Sequence, residues 1–504
     1  MRQHTVVLAA LGLASGLLTS GATLAQEQTA RAILERAAEA MGGRQRLEGL
    51  DNIVYTGFGQ YVYQGGGGLV TGDPNAPPKW QAAHDAQRSF DLRNGRALRQ
   101  DRRSFLFPFA ATFGHSWDRS NTVQTGAAML DHPLPAVLKA LDPKTALGPV
   151  TAEDGLQVVE FTIEEGDTLW IAIDALTHLP YWVRSIDSSA TLGEVTSTTY
   201  FTGYLPYDGV QLPIGLMSRI DWRNTITMMF QVDSYRVNVG DMPEFPDGRG
   251  DGGFGGGAAQ EVVVTEVADG VWDVRVGRDG SGGAVVEFDD HLVMFEAYGS
   301  QAATLARIDA ANRLVPGKGV TAVIVTHHHF DHTGGLRAAV SRGLTIISHR
   351  GNRQIFEEMT SRPAPNYPDA LAMNPRRLDF VPVDEYLVLE DATMRLDVYH
   401  AIGHAHMANA VFAYVPEHRI FMEGDFTTFN WDWHWWGGAY LDNVEHYGLE
   451  PRTNIPVHGR VTSFEDAIAS IGEQVGRARS FCAANVEARV FLPGCPVQYS
   501  RDRK

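Results

Sequence analysis

Cysteine is nearly absent from this sequence of 504 residues, which contains only Cys482 and Cys495. Two cysteines are too few for a disulfide framework, and no histidine lies near them in the sequence to form a Cys-His nucleophile. In an oxidising compartment the two thiols could form one disulfide, and two small buried hydrophobic side chains are an equally good interpretation. The sequence alone leaves both open.

Positive charge is also scarce. The chain has 42 Lys and Arg against 60 Asp and Glu, a formal net charge of -18, and it contains no long basic run. Because such a surface repels phosphate backbones, we predict a small-molecule substrate and no nucleic-acid partner. The chain is longer than a typical domain with one hydrophobic core, and its length predicts about two to four domains.

Long apolar runs are missing as well. The run near the amino terminus extends only from Val6 to Leu18, whereas a transmembrane helix needs about 20 apolar residues. Arg2 precedes this run and small residues follow it up to Ala25. This order is typical of a cleaved signal peptide, so we predict one at residues 1–25 and export to the periplasm or the exterior. No cysteine lies near the cleavage point to carry a lipid, and no stable membrane anchor is expected.

The first part of the mature protein, residues 27–240, is predicted to have one short helix followed by β-strands. Apolar residues from Ile33 to Met41 recur at helical spacing, and Gly42 and Gly43 end the helix. Segments such as LQVVEFTI and TLWIAI then alternate with a period of two, which predicts an antiparallel, β-rich α+β domain. The pattern resembles the helix and curved sheet of periplasmic lipoprotein carriers. That resemblance implies a domain for apolar cargo or substrate, and a structural appendage is the alternative.

Residues 241–260 form a predicted linker, because seven of the ten residues from 248 to 257 are glycine and no GK[ST] sequence follows. Beyond the linker, residues 261–504 alternate apolar strands with helical segments such as QAATLARIDAANRL. This alternation predicts a layered α/β domain. In this domain the apolar strand AVIV leads directly into the sequence THHHFDHTGG, residues 326–335.

Four histidines and one aspartate occupy seven positions of that sequence. Residues two apart in an extended segment point to the same side, so His327 and His329 can bind one metal ion together. Asp331 and His332 follow where the chain turns towards a helix, and they are placed to face a second metal ion. The intervening side chains are expected to point elsewhere. A solvated polar loop without metal is the alternative interpretation.

The motif H-x-H-x-D-H after a buried strand resembles the metallo-β-lactamase fold superfamily, and the resemblance covers about residues 260–475. It implies an αββα sandwich for the second domain and a centre with two divalent metal ions. Asp425, at the end of MEGD, matches the carboxylate that bridges the metals in dinuclear members. His458, in NIPVHGRV, matches the last ligand.

Two histidines compete for the remaining ligand position. In the superfamily this histidine precedes the bridging aspartate by about nineteen residues, with two strands between them. Here 425 minus 406 is 19, whereas 425 minus 404 is 21. We therefore predict that His406 is the ligand and that His404 supports it or forms a pocket wall.

The predicted ligand set has seven members: His327, His329 and His406 on one metal, Asp331, His332 and His458 on the other, and Asp425 shared. All of them supply nitrogen or oxygen, which suits two zinc ions best and would also accept iron or manganese. Many members of the superfamily carry a supporting aspartate where this chain has Glu296. Its role is left open, and a solvated strand end is the alternative.

Two bound metals bring the pKa of a water from 15.7 to about 7, so a metal-bridging hydroxide could attack a substrate without a side-chain nucleophile. Asp331 could relay the proton. We therefore predict an exported, dinuclear, metal-dependent hydrolase. Export argues against thioester and RNA substrates, and the resemblance at Asp425 favours an ester or a lactone. A β-lactamase-type lactam hydrolase and a non-catalytic protein that binds apolar ligands are the alternatives.

The sequence FTTFNWDWHWWGGAY, which follows Asp425, is rich in tryptophan. Because it starts next to a predicted ligand, it could form an aromatic wall for an apolar or ring-bearing substrate. Packing of these rings against the first domain is an equally good interpretation.

Overall fold

In a computed structural model of the chain, the described residues are 27–105, 120–246, 261–277, 280–404, 406–427 and 437–473. The predicted signal peptide, most of the predicted linker, the tryptophans of the loop after Asp425 and both cysteines lie outside these ranges. Among the described helices, none is both long and apolar enough to cross a membrane.

The described residues of the first domain form three α-helices and eleven strands. The helices are α1 (27–40), α2 (Arg44–Glu48) and α3 (Pro133–Leu141). The strands are β1 (Asn52–Val62), β2 (Trp80–Asp91), β3 (Arg96–Phe105), β4 (Ser120–Thr125), β5 (Ala146–Glu153), β6 (Leu156–Thr162), β7 (Thr168–Asp174), β8 (Pro180–Ser189), β9 (Gly193–Tyr207), β10 (Val210–Ile220) and β11 (Ile226–Val237). They form one antiparallel sheet in the order β4-β3-β2-β1-β11-β10-β9-β8-β7-β6-β5.

Helix α1 packs on this sheet through one apolar face. Its core residues are Ala30, Ile33, Leu34, Ala37 and Ala38, whose spacing of three and four places them on one side of a helix. They share a core with apolar residues of the strands and of α3. The helix and the period-two segments predicted from the sequence are therefore present.

The second domain contains two further sheets. The first has the strands β12 (Val262–Ala268), β13 (Val271–Val276), β14 (Gly282–Glu287), β15 (Leu292–Phe295), β16 (Val320–Ile324), β17 (Thr345–His349) and β18 (Phe380–Val383) in sequential order. The second has β19 (Tyr386–Glu390), β20 (Arg395–His400), β21 (Val411–Val415), β22 (Ile420–Glu423), β23 (Thr453–Pro456) and β24 (Thr462–Ser463), also in sequential order.

Helices cover the outer faces of these two sheets. They are α4 (Gln301–Ala311), α5 (Phe330–Thr333), α6 (Leu336–Ser341), α7 (Arg353–Ser361), α8 (Ala370–Met373), α9 (Gly438–His446) and α10 (464–473). One apolar core lies between the two sheets. A second joins the first sheet to α4, α6, α7 and α8, and a third joins the second sheet to α9 and α10. This is the αββα sandwich expected from the sequence.

Ion pairs and hydrogen bonds dock the two domains against each other. Arg223, in the turn between β10 and β11, pairs with Glu358 of α7 at 2.7 Å, and Arg362 pairs with Asp221 at 2.8 Å. Glu194 of β9 accepts a hydrogen bond of 2.6 Å from the backbone N–H of Tyr367. The first domain is therefore held in a defined position on the second.

His132 caps α3 inside the first-domain core as a neutral imidazole. Its Nδ1 accepts from the backbone N–H of Leu134 at 3.3 Å. Its Nε2 lies 3.1 Å from the hydroxyl of Tyr235, and that hydroxyl donates to the carbonyl of Pro213. Burial and the nearby Arg88 guanidinium lower the pKa of His132 well below 6.5.

We expect His132 to make the first domain less stable in mild acid. Because its pKa is lower in the folded than in the unfolded state, its contribution is complete above pH 6.5 and is lost as the pH falls below 6.5. From pH 6.5 to 5.5 the loss is about 1 kcal/mol. The measurement is the free energy of opening from hydrogen exchange in first-domain peptides, compared with His132→Asn, which retains a cap but does not titrate. An identical pH dependence in both proteins would contradict this expectation.

Candidate metal centre

The predicted ligands follow the carboxyl ends of neighbouring strands. The segment from His327 to His332 follows β16, Asp425 follows β22 and His458 follows β23. Strand β16 is parallel to β15, and β23 is parallel to β22, so the ends of each pair meet at one edge. His406 lies in the connection between β20 and β21. The two sheets thereby bring all seven side chains together.

These side chains form two clusters. The first consists of His327, His329, His406 and Asp425, and the second consists of Asp331, His332 and His458. Within each cluster one nitrogen or oxygen atom per residue lies within 4.8 Å of the others. The sequence predicts the same grouping of the histidines and Asp331, with Asp425 shared, whereas here Asp425 falls in the first group.

The carboxylate of Asp425 lies between the two clusters. Its Oδ2 is 2.9 Å from Nε2 of His406 and 3.6 Å from Nε2 of His327. Its Oδ1 is 3.0 Å from Nε2 of His332 and 3.1 Å from Nε2 of His458. One oxygen therefore faces each cluster, which is the geometry of a bridging ligand.

The chemistry of both clusters fits divalent cations. Nε2 of His327 and Nδ1 of His329 are buried and have no hydrogen-bond partner among the described residues, a costly state for a polar atom that a metal bond would relieve. In a tetrahedral zinc site with bonds of 2.0–2.1 Å, neighbouring ligand atoms lie about 3.3 Å apart. The distances from Asp425 to the surrounding nitrogens bracket this separation.

Hydrogen bonds fix the orientation of the first-cluster histidines. Nδ1 of His327 lies 2.9 Å from Oγ1 of Thr326, which in turn donates to Oε2 of Glu296 at 2.6 Å. Nε2 of His329 lies 2.8 Å from the carbonyl oxygen of Leu69, so this nitrogen carries the proton. The opposite nitrogen of each ring is left to face the cluster.

Glu296 supports the second cluster. Its side chain is fully buried, and its Oε2 lies 3.0 Å from Nδ1 of His332. The same oxygen accepts from Thr326, so one carboxylate orients a histidine of each cluster. The buried Arg307 guanidinium donates to the carbonyl oxygens of Glu296 and Phe295. Glu296 is therefore not a solvated strand end, and it fills the supporting role that the sequence left open.

The two clusters differ in their protonation. Burial lowers the pKa values of His327 and His329 well below the usual range and that of His406 to about 4. Burial also opposes protonation of His332 and His458, but the nearby carboxylates raise the pKa of His332 well above its usual value and that of His458 to about 9. Metal binding at the second cluster would therefore displace protons.

The structure separates the two candidate histidines of the β20–β21 connection. His406 is a member of the first cluster. The ring of His404 lies 6.2 Å from that of His406 and makes an edge contact with the ring of Phe426 at 4.6 Å. His404 is buried and belongs to neither cluster, as the spacing to Asp425 predicts.

Glu423 shapes the turn that carries Asp425. Its Oε2 accepts from the backbone N–H of Phe426 at 2.9 Å, and its Oε1 accepts from the hydroxyl of Thr427. Burial raises the pKa of Glu423 to about 8. The sequence analysis did not single out this residue, although it stands within the quoted MEGD sequence.

The first-domain residues at the site were not predicted from the sequence either. Gln64 donates to Asp331, and Lys79 donates from Nζ to the carbonyl oxygen of His406 at 2.7 Å. A signal for this contact does exist in the sequence, because Gln64 is followed by four glycines. A Cβ atom at Gly67 would lie 2.1 Å from the ring of Phe330. The glycines therefore permit close approach of one backbone to the other.

Comparison with known proteins agrees with this centre. Residues 283–430 match the family model of the metallo-β-lactamase superfamily, which includes every predicted ligand except His458. This match confirms the superfamily and the fold predicted for the second domain. A shorter segment of 75 residues is 41% identical to the linear primary-alkylsulfatase of a Pseudomonas species. That match covers 15% of this chain and 11% of the alkylsulfatase.

Solved metallo-β-lactamases are also similar to part of the chain. The enzyme from Pontibacter korlensis is 17% identical, with 42% of this chain and 99% of that protein covered and a TM-score of 0.34. The enzyme from Hirschia baltica is 17% identical, with coverage of 43% and 98% and a TM-score of 0.33. Scores at this level support no argument about function.

We expect Glu296→Gln to weaken metal binding about 10- to 100-fold, because a neutral amide orients His332 and Thr326 less firmly than a carboxylate. The measurement is a zinc titration against a chromophoric chelator. Glu266→Gln, at an exposed position of β12 in the same domain, is the matched control and should bind zinc like the unmodified protein. Unchanged affinity in Glu296→Gln would show that this carboxylate does not support the centre.

We expect His406→Ala to lose one equivalent of metal and His404→Ala to retain the full amount, because only His406 lies in a cluster. The metal content of each protein after gel filtration, measured by mass spectrometry, decides between them. The assignment of His406 would be wrong if His404→Ala were the variant that loses metal.

Proposed function

We propose that this chain is an exported, dinuclear, metal-dependent hydrolase that cleaves an ester bond, with carboxylic esters and lactones as the first substrate class. The observation that carries this proposal is the position of Asp425, which presents one oxygen to each of two histidine clusters. A carboxylate placed in this way could be a ligand for both cations of a two-metal centre.

Bound divalent metals would supply a nucleophilic water at neutral pH and a Lewis acid for the developing negative charge. The ligand set contains five histidines and two carboxylates, with no sulfur, and this composition suits zinc while also accepting iron or manganese. The three histidines of the first cluster have pKa values lowered by burial, so they are neutral ligands at physiological pH.

Asp331 is the residue that we propose to hold the proton released by the attacking water. Its Oδ1 accepts from Nε2 of Gln64 at 2.8 Å, and its Oδ2 lies 3.3 Å from Nε2 of His458. Burial opposes ionisation of Asp331, but the charge of His332 lowers its pKa below the usual value. The carboxylate is therefore ionised and can accept a proton.

Sulfate esters are the second candidate substrate class. The local match to a linear primary-alkylsulfatase favours them. For attack at sulfur, as for attack at a carbonyl carbon, two cations would supply the nucleophilic water and stabilise the negative charge that develops on oxygen. Lactams are the weaker alternative, because the resemblance at Asp425 favours esters. A non-catalytic role in binding apolar molecules is disfavoured, because both clusters are complete.

Export is part of the proposal and is supported by the sequence of residues 1–25, where an apolar run follows Arg2 and ends in small residues. We place the mature enzyme in the periplasm or outside the cell, where small esters and lactones are accessible.

We expect zinc-loaded mature protein to hydrolyse at least one member of a panel containing an aryl ester, a γ-lactone, a primary alkyl sulfate and a cephalosporin. Hydrolysis should cease with a chelator and return with zinc. Asp331→Asn should lower kcat/KM about 100-fold or more, since general base catalysis contributes at least that much. Asp384→Asn, at an exposed position, is the matched control.

Each result of the panel has a distinct consequence. Cleavage of the ester or lactone supports the first substrate class, and cleavage of the sulfate alone supports the second. Cleavage of the cephalosporin alone would identify a lactam hydrolase and overturn the ester proposal. A protein that binds two zinc ions but cleaves nothing would favour the non-catalytic alternative.

A further inference from the structure

The connection between β1 and β2 of the first domain, residues 63–79, extends from its own sheet onto the metal centre. We call it the β1–β2 segment. It lies outside the part of the chain that matches the superfamily model. Hydrogen bonds join it to both stretches that carry first-cluster histidines, residues 327–332 and residues 406–408. The β1–β2 segment therefore forms hydrogen bonds with the predicted metal ligands themselves.

Gln64 holds one ligand of the second cluster. Its Nε2 donates to Oδ1 of Asp331 at 2.8 Å, while its Oε1 accepts from the backbone N–H of Phe330 at 2.8 Å. With Oδ1 occupied, Oδ2 is the oxygen that Asp331 turns towards His332 and His458, at 3.5 and 3.3 Å. The amide of Gln64 thus selects which oxygen faces the second cluster.

The carbonyl of Leu69 orients one histidine of the first cluster. It accepts from Nε2 of His329 at 2.8 Å and from Nε2 of His328 at 3.0 Å. Because Nε2 of His329 must carry a proton for this bond, Nδ1 is the deprotonated nitrogen, and Nδ1 is the atom without a hydrogen-bond partner. A backbone oxygen of the first domain thereby fixes the tautomer in which His329 can act as a ligand.

The glycines of the segment make this approach possible. A Cβ atom on Gly67 would lie 2.1 Å from the ring of Phe330, and one on Gly68 would lie 2.1 Å from the ring of Tyr63. One backbone bond and one side-chain bond complete the contact, since the N–H of Ala408 donates to the carbonyl of Val70 at 2.7 Å and Nζ of Lys79 donates to the carbonyl of His406. The segment is seated too closely for any larger residue at position 67.

We propose that the β1–β2 segment is a structural part of the metal centre, in which Gln64 positions Asp331 and the carbonyl of Leu69 positions His329. This inference rests on the proposed function, because it presumes that the two clusters bind metal. The first domain is then neither a passive appendage nor only a holder of substrate. It supplies one orienting hydrogen bond to each metal site of the second domain.

Zinc titration and cobalt spectroscopy of the full mature protein test this proposal without any substrate. Gln64→Met keeps the length of the side chain but removes both hydrogen bonds. We expect the second metal to bind about 10- to 100-fold more weakly, as for other losses of an orienting partner. The visible absorption bands of bound Co²⁺, which report ligand geometry, should shift. Gln157→Met, on β6 of the same sheet, is the matched control.

Gly67→Ala provides a second variant that acts on the whole segment. The added methyl group would displace the segment from Phe330, so we expect both metals to bind more weakly, by about tenfold or more. Gly240→Ala is the matched control, because a Cβ atom there meets nothing within 4 Å. If the β1–β2 segment only fills space, Gln64→Met should have the same two metal affinities and the same cobalt spectrum as the unmodified protein, and the proposal would be wrong.

The outcomes separate this inference from the proposed function. If the unmodified protein binds two metals and hydrolyses a substrate but Gln64→Met and Gly67→Ala leave both affinities and the spectrum unchanged, only this inference is overturned. If the unmodified protein binds no stoichiometric metal, the proposed function fails, and the inference fails with it.

Discussion

The carboxylate of Asp425 is the group on which the rest of the centre depends. It is buried among histidines of both clusters, and Asp331 and Glu296 add two more buried carboxylates nearby. Such a concentration of buried negative charge is costly unless cations or protons compensate it. In the protein alone, His332 and His458 provide that compensation through their raised pKa values. Two divalent cations would provide it more fully and would also occupy the unbonded nitrogens of His327 and His329.

The fold meets this requirement by placing the side chains of both clusters beyond the ends of strands. The interior between the two sheets is apolar, and the ligands appear at one edge, after β16, β22 and β23. Backbone and side-chain hydrogen bonds then restrict each ligand to one orientation. Thr326 and Glu296 act from within the second domain, whereas Gln64 and Leu69 act from the first. The docking of the two domains is therefore part of the geometry of the site.

Much of the site follows from the sequence because its ligands are local or stand in a fixed order. The spacing of His327, His329, Asp331 and His332 needs only the geometry of a strand and a turn, and the superfamily resemblance supplies the order of the others. Contacts such as Gln64 to Asp331 join residues 267 positions apart, and no local pattern encodes such a pair. In strands β2 and β3, charged residues interrupt the period-two alternation of apolar and polar residues, and Arg103 pairs with the buried Asp101 inside the sheet.

The lining of a cavity in the first domain indicates which ligands that domain can bind. A cavity of about 350 Å³ opens among its strands, and its lining includes the hydroxyl side chains of Ser185, Ser197, Thr199 and Ser218 together with Arg99, Arg103, Asp131 and Asp187. Apolar cargo would exclude water from these polar groups, at a cost for those that are not already paired as Ser185 is with Asp187 and Thr199 is with Ser218. The polar lining of this cavity therefore disfavours the apolar-cargo role that the sequence pattern of the first domain suggested. Gly65, which also lines this cavity, is adjacent to Gln64, so the same short segment joins the polar cavity to the metal centre.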